Sequence, residues 1–332
     1  MKHVLALFFS AALIGLIAVG GGYFYIESQA NQPGPHPVET RVFIAPGSGV
    51  TTIADTLVRS GVVSDAFVFR LWARASDQHR RLRAGEFAVP AQASIDDVLK
   101  LLVSGKTVAR KLTLPEGLTV TEAMILIQDA EGLQGPLTAI PDEGWLLPET
   151  YHYSWGDERV DMVLNMSAAM EDAVRAAWKK RPKDFILKSS QELLTLASIV
   201  EKETGVAAER PMVAAVFLNR LKKGMRLQSD PTVVYALTEG SGPLGRALTR
   251  DDLKIDSPYN TYLVTGLPPG PIALAGKASL DAVVQPADTD ALYFVADGTG
   301  GHVFAKTLDE HNQNVAKWRK IKRAQNGDAV AH

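Results

Sequence analysis

The sequence predicts an α+β protein in three parts: an N-terminal transmembrane helix, a small compact module and a larger mixed α/β region. Three observations carry that reading. Val4 to Ile26 is an uncharged apolar run, a polar segment with three prolines follows it, and two unequal sets of strand and helix patterns come after. At 332 residues the chain is long enough for two cores.

Val4 to Ile26 can cross about 30 Å of hydrocarbon as a helix. Lys2 precedes it and Glu27 follows it. So short a tail is easily held in the cytoplasm, so the remainder is expected on the outer side of the cytoplasmic membrane, with Tyr23 and Tyr25 near the interface. Ser28-Gln29-Ala30 vaguely resembles a signal-peptide cleavage site, but the apolar run exceeds the usual roughly 7–15 residues. Residues 1–26 are therefore expected to be an uncleaved tail and anchor. Residues 27–40, containing Pro33, Pro35 and Pro37, read as an extended linker.

Residues 41–109 form the small module. RVFIAP has strand character, TTIADTLVRSGVV places Ile53, Leu57 and Val58 at helical spacing, and Ser64 or Asp65 can cap AFVFRLWARA. LRAGEFAVP returns to an extended pattern, and SIDDVLKLLVSGK makes a short helix ending near Gly105. Residues 110–324 form the larger region. It opens on the strand and turn KLTLPEG and a capped helix, and continues with an amphipathic helix over 157–181 and the helices SSQELLTLASIVEKET and ERPMVAAVFLNRLKKG. Two strands in ALYFVADGTGGHVFAK and a polar helix from Leu308 complete it, and 325–332 is a polar tail.

Composition excludes several chemistries. Thirty-five basic and 37 acidic residues leave a formal charge of −2, so no broad basic field exists for nucleic acid. No cysteine is present, which removes disulfides, thiolate nucleophiles and zinc–cysteine sites. His302 and His311 are too isolated to define a metal site, and GPIALAGKAS has the wrong spacing for a phosphate loop. No metal or cofactor is expected. Any chemistry must come from oxygen and nitrogen groups.

The candidate chemistry lies in LASIVEKETG, Leu196 to Gly205. On a helical wheel Glu201 falls between Leu194 and Ala197 at the margin of an apolar arc, and Glu203 falls at the opposite margin between Ile199 and Leu196. Geometry alone does not separate the two. A carboxyl group partly desolvated by aliphatic neighbours has a raised pKa, as a general acid near neutral pH requires, and small Ala197 and Ser198 would leave room for a substrate above Glu201. The plainer reading of Glu201 is a surface ion pair near a helix end, for example with Arg210 or Lys202. MRLQSDPTVVYAL, SPYNTYLVTGLPPGPI and GWLLPETYHY supply the aromatic, amide and hydroxyl groups that sugar sites use. Each also has a structural reading. Asp230 before Pro231 fits a helix N-cap, and Tyr259 and Tyr262 fit half-buried tyrosines.

In combination and order, LPEG, LLPETY, LASIVEKETG, VAAVFLNRLKKGMRLQSDPTVVYAL, SPYNTYLVTGLPPGPI and LYFVADGTGGHVFAKTLDEHN resemble the YceG-like family of membrane-anchored endolytic murein transglycosylases, over about Leu112 to Asn314. The resemblance implies a LysM-like carbohydrate-binding module at 41–109 and a catalytic domain at 110–324. It implies cleavage of the β-1,4 bond between N-acetylmuramic acid and N-acetylglucosamine within nascent glycan strands, in the company of peptidoglycan synthases. It places the general acid on Glu201, the first glutamate of IVEKET, with Gln228, Asp230, Asn260, Tyr262, Glu149 and Glu203 expected in the cleft. A hydrolytic muramidase and a non-catalytic peptidoglycan-binding scaffold are the alternatives.

Overall fold

The computed structural model describes residues 2–328, apart from the side chains of residues up to 8, of 11 and 12, and from 324 onward. Two compact units result, one of residues 1–111 with 131–133 and 152–157, the other of the remainder.

In the smaller unit, α1 (Lys2–Ala30) is followed by β1 (Thr40–Ile44), α2 (Val50–Arg59), α3 (Ala66–Ala75), β2 (Gly85–Val89) and α4 (Ile95–Ser104). β1 and β2 pair antiparallel, Thr40 opposite Val89 and Ile44 opposite Gly85. Alternation along both strands sends Val42, Ile44, Phe87 and Val89 into a core with Ile53, Leu57, Phe69, Val98, Leu99 and Leu102. Asp65 caps α3, and Ser94 with Asp97 makes a full capping box on α4.

Residues 27–40 do not form the expected extended linker. Glu27–Ala30 continues α1, Ala30 is buried in the core, and the buried His36 imidazole lies 2.6 Å from the Pro90 carbonyl while its own carbonyl accepts from Gln92 N. Glu131 and Trp155, supplied from later in the chain, close on Arg110. Its guanidinium bonds Glu86 and Glu131 and lies 4.6 Å from the Trp155 ring centroid.

The Val4–Ile26 span falls partly outside the described side chains. Among the described residues no helix is long and apolar enough to cross a membrane. Phe9, Leu13, Ile14, Leu16, Ile17, Val19 and Phe24 are nevertheless exposed along α1.

The larger unit begins within β3 (Arg110–Thr113), where the Thr113 hydroxyl meets that of Thr150, at the start of β4 (Thr150–Tyr153), at 2.9 Å. Between them lies α5 (Val120–Asp129), and α6 (Arg159–Lys179), α7 (Ser190–Glu203), α8 (Arg210–Lys222), α9 (Asp230–Thr238) and α10 (Lys277–Val284) follow. The hairpin of β5 (Tyr293–Ala296) and β6 (His302–Ala305) precedes α11 (Leu308–Asp328).

The axis of this unit is α7. Leu193 to Val200 are buried without interruption, because α6, α8, α9 and α10 pack around it. A helix apolar on all sides is a core element. Its carboxylates therefore appear only where it leaves the core.

Candidate active site

The two glutamates at the end of α7 meet different surroundings. The Glu201 side chain is only 4% exposed. Its Oε1 takes a 2.8 Å ion pair from Arg210 Nη2, and its Oε2 accepts from Gly276 N at 3.0 Å. The same Arg210 nitrogen reaches Glu116 Oε2 at 2.8 Å. Burial and the neighbouring Glu201 charge raise the Glu116 pKa, against the pull of Arg210. A Cβ at Gly276 would fall on the Glu116 carboxylate, so a larger residue there would have to push that side chain away.

The room expected above Ala197 and Ser198 is filled. Both are fully buried, Ser198 Oγ accepts from Ile272 N, and Pro271 to Gly276 lie buried over that sector. Arg210, one of the two partners of the plainer reading, does pair with Glu201, but the pair is buried and not on the surface. Both oxygens of Glu201 are in use.

Glu203, the last residue of α7, opens instead onto a cavity of about 370 Å³ lined by Arg220, Gln228, Asp230, Tyr262, Phe294 and His311. Ser229 Oγ donates to its Oε1 at 2.5 Å, and its other oxygen has no protein partner among the described residues. Burial, aided by the nearby Asp230 charge, pushes its pKa up to about 7, against the Ser229 hydrogen bond.

The rim is built by two knitted segments. Gln228 holds φ +52°, a left-handed conformation uncommon away from glycine, with its N–H on Thr261 O. Ser229 N donates to Thr261 Oγ1, which also meets Thr232 Oγ1. Asp230 makes no capping bond. The N-cap is Ser229, and the Asp230 carboxylate accepts from Tyr262 O–H at 2.6 Å. Burial and that bond raise the Tyr262 pKa, so the phenol stays protonated.

Two expected cleft residues are elsewhere. Asn260 is fully buried: Nδ2 donates to the carbonyls of Leu253 and Ile255, and Oδ1 accepts from Tyr262 N. Its amide shapes the loop that presents Tyr262. Glu149 pairs with Lys277 at 2.8 Å and does not line the cavity.

The sequence reading missed Arg220, Ser229, Phe294 and His311. Arg220 ties two walls together, donating to Leu292 O at 2.7 Å and Leu227 O at 2.6 Å. His311 stacks on Tyr293, and burial with the Arg220 charge lowers its pKa. An arginine in the polar run NRLKKG gives no sign of burial, but Ser229 sat within a motif already singled out. No cluster of metal-ligating side chains occurs among the described residues.

Fold and site together define an α+β protein with a carboxyl group facing a polar cavity at the end of a core helix. The YceG-like family model matches residues 42–317, and the chain belongs to that family. It is 32% identical to the endolytic murein transglycosylase of Bacillus subtilis (strain 168), over 91% of each chain. It is 29% identical to the endolytic murein transglycosylase of Streptococcus pneumoniae, over 95% of this chain and 66% of that one. A crystal structure of a yceG-like protein from Listeria monocytogenes superposes with a TM-score of 0.51 at 33% identity, over 83% of this chain and 98% of that one.

Proposed function

We propose that this protein is a lytic transglycosylase of peptidoglycan, cutting the β-1,4 bond between N-acetylmuramic acid and N-acetylglucosamine within glycan strands, with Glu203 rather than Glu201 as the acid. The observation that carries the assignment is Glu203 itself: a carboxyl group with a pKa near 7, one free oxygen and an open polar cavity before it. Relatives bearing the transglycosylase name support the reaction class.

The Glu203 carboxyl gives its proton to the glycosidic oxygen as the C1–O bond of the muramic acid breaks. The resulting carboxylate takes the proton of that sugar's C6 hydroxyl, whose oxygen bonds C1, closing a 1,6-anhydro ring and restoring the acid. No water enters. The attacking group is already held in the same molecule, which raises its effective concentration. Ser229 orients the carboxyl. Tyr262 and Phe294 bring aromatic rings to the cavity wall, and Gln228 an amide. The test is mass analysis of a digest of purified glycan strands by wild-type and Glu203→Gln protein. Anhydro-ended fragments from the wild type alone are expected, and equal products from both would overturn the assignment.

One observation favours a second reading. Asp230 shares the cavity with Glu203, and paired carboxylates also serve hydrolytic muramidases. A non-catalytic scaffold finds no such support.

The cellular setting is part of the proposal. The uncharged run Val4 to Ile26 and the exposed apolar side chains of α1 support an anchor in the cytoplasmic membrane, with the rest on its outer face. The β-α-α-β order of residues 40–89 supports a LysM-like, glycan-placing role for the small unit. Work on nascent strands would put peptidoglycan synthases beside it.

A further inference from the structure

We propose that the loop 76–84 of the small unit is a docking surface for anionic phospholipid headgroups, seating that unit on the bilayer through Arg80, Arg81 and Arg83. This rests on the reading of α1 as a membrane anchor. It adds to it a contact made by a segment more than fifty residues further along the chain.

The geometry comes from how α3 lies on α1. Tyr23 and Trp72 rings are 5.9 Å apart. A cavity of about 250 Å³ is lined by Tyr25, Gln29 and Gln32 together with Asp65 and Val68. Rising numbers on α1 thus meet falling numbers on α3, so the two helices run antiparallel. From Val4 to Tyr23 is about 29 Å of helix at 1.5 Å per residue, close to the roughly 30 Å hydrocarbon thickness. Tyr23 and Trp72 then lie at the outer interface, the level that tyrosine and tryptophan favour, with the indole N–H held by Asp96 at 2.8 Å. α3 ends at Ala75, three residues beyond Trp72, so the loop that follows it starts at that interfacial level, beside the headgroups.

That loop is basic. Arg80, Arg81 and Arg83 are exposed, as is Arg74 at the end of α3, and none of the four has a carboxylate partner among the described residues. Lys106 is also exposed, beside Gly105, over which the Arg83 side chain lies. Against them stand Asp77, 4.0 Å from His79, and Asp55, already paired with Arg70. The surplus is positive, placed where lipid phosphates would be. Guanidinium groups bond phosphate oxygens in a matching fork geometry. Each basic residue close to an anionic surface multiplies binding about fivefold, so three contribute about a hundredfold.

Because the chain has no cysteine, single labels can be placed cleanly. The full chain would be reconstituted in vesicles of phosphatidylcholine with or without phosphatidylglycerol, carrying a fluorophore on Ala84→Cys or on Leu16→Cys. Quenchers would sit at the headgroups or on the acyl chains. The expected result is headgroup quenching of the position-84 label with phosphatidylglycerol, lost in R80Q/R81Q/R83Q and, in the chain with native arginines, at high salt. Position-84 quenching that ignores lipid charge, arginines and salt would overturn the proposal. So would its absence while the Leu16→Cys label is quenched by acyl chains, a result that leaves the anchor standing. No quenching at either position would remove the anchor reading and the docking surface with it.

Discussion

Arg210 and Glu201 form a buried ion pair, Nη2 to Oε1 at 2.8 Å, and the same nitrogen holds Glu116 at 2.8 Å. Three elements thereby converge at Glu201, two residues before Glu203: the turn before α5, the end of α7 and the start of α8. Removing one partner of a buried pair strands the other charge, which costs about 3–5 kcal/mol. Arg210→Ala should therefore lower the unfolding free energy by about that much in a denaturant titration. Arg210→Lys, which keeps the charge but loses the fork, should recover part of it. An Arg210→Ala protein as stable as the wild type would mean that the cluster does not brace α7.

Separating the two glutamates is the most direct test of the site. Glu203→Gln should lower the rate on glycan strands by about 10²–10⁴ while the protein stays folded, because general acid–base catalysis is typically of that size. Glu201→Gln should act mainly through stability, with a smaller rate loss that follows the folded fraction. Inverted effects would return the acid to Glu201.

The pH dependence has a defined sign. Glu203 and Glu143 both have pKa values pushed up to about 7 by burial, from an ordinary 4.5. Between those values the folded protein binds more protons than the unfolded chain, so their stabilisation is complete below about 4.5 and is lost as pH rises through about 7. Glu203→Gln should flatten the Glu203 share of that slope, on the order of 3 kcal/mol, leaving the share of Glu143, whose Oε1 accepts from Val120 N and Gly144 N. With Glu203 as the proposed acid, activity would need it protonated first, so the rate should fall about tenfold per pH unit well above 7. Melting and rate profiles over pH 5 to 9 check both. A rate that stays level to pH 9 would contradict the acid role.

Asn260 gives a different expectation from that of a cleft residue. Its amide makes three backbone hydrogen bonds in a fully buried place. Asn260→Ala should cost about 2–4 kcal/mol of stability, at about 1 kcal/mol per bond with added cost for stranded groups. It should also loosen the Tyr262 loop. A variant with native stability and only a weaker KM would show that Asn260 touches substrate.

Much of the fold was legible because it is local. The caps at Asp65, Ser94 and Thr119, the alternation in RVFIA and GEFAV, and the Gly-rich turn of the C-terminal hairpin all act within a few residues. The site was legible only as a neighbourhood. IVEKET marked the helix end that borders the cavity, but which of its glutamates faces that cavity depends on Pro271 to Gly276 covering one sector and leaving the other open. That contact joins residues about seventy-five apart, and no wheel contains it. The linker was misread for a related reason. Its prolines suit an extended chain equally well whether solvated or packed on the strand end at Pro90.

The product end is the last question, and Asp230 sharpens it. As a helix cap Asp230 would have left one carboxylate for catalysis, but it lies in the cavity with Glu203 and bonds Tyr262 instead. Counting carboxylates therefore no longer separates a transglycosylase from a hydrolase, which uses an acid and a second carboxylate as nucleophile or base. The lytic route needs Glu203 alone, as donor to the glycosidic oxygen and then acceptor from the C6 hydroxyl. Asp230 then serves by holding Tyr262 and by keeping Glu203 protonated through its charge. On that route Asp230→Asn should lower the Glu203 pKa and shift the falling limb of the rate profile to lower pH, leaving the product unchanged. Digests of glycan strands in ¹⁸O water should give fragments lighter by one water than hydrolytic products, with no heavy oxygen at the new end, from wild-type and Asp230→Asn protein alike. Heavy oxygen at C1, lost in Asp230→Asn, would show Asp230 activating water and make the enzyme a hydrolytic muramidase.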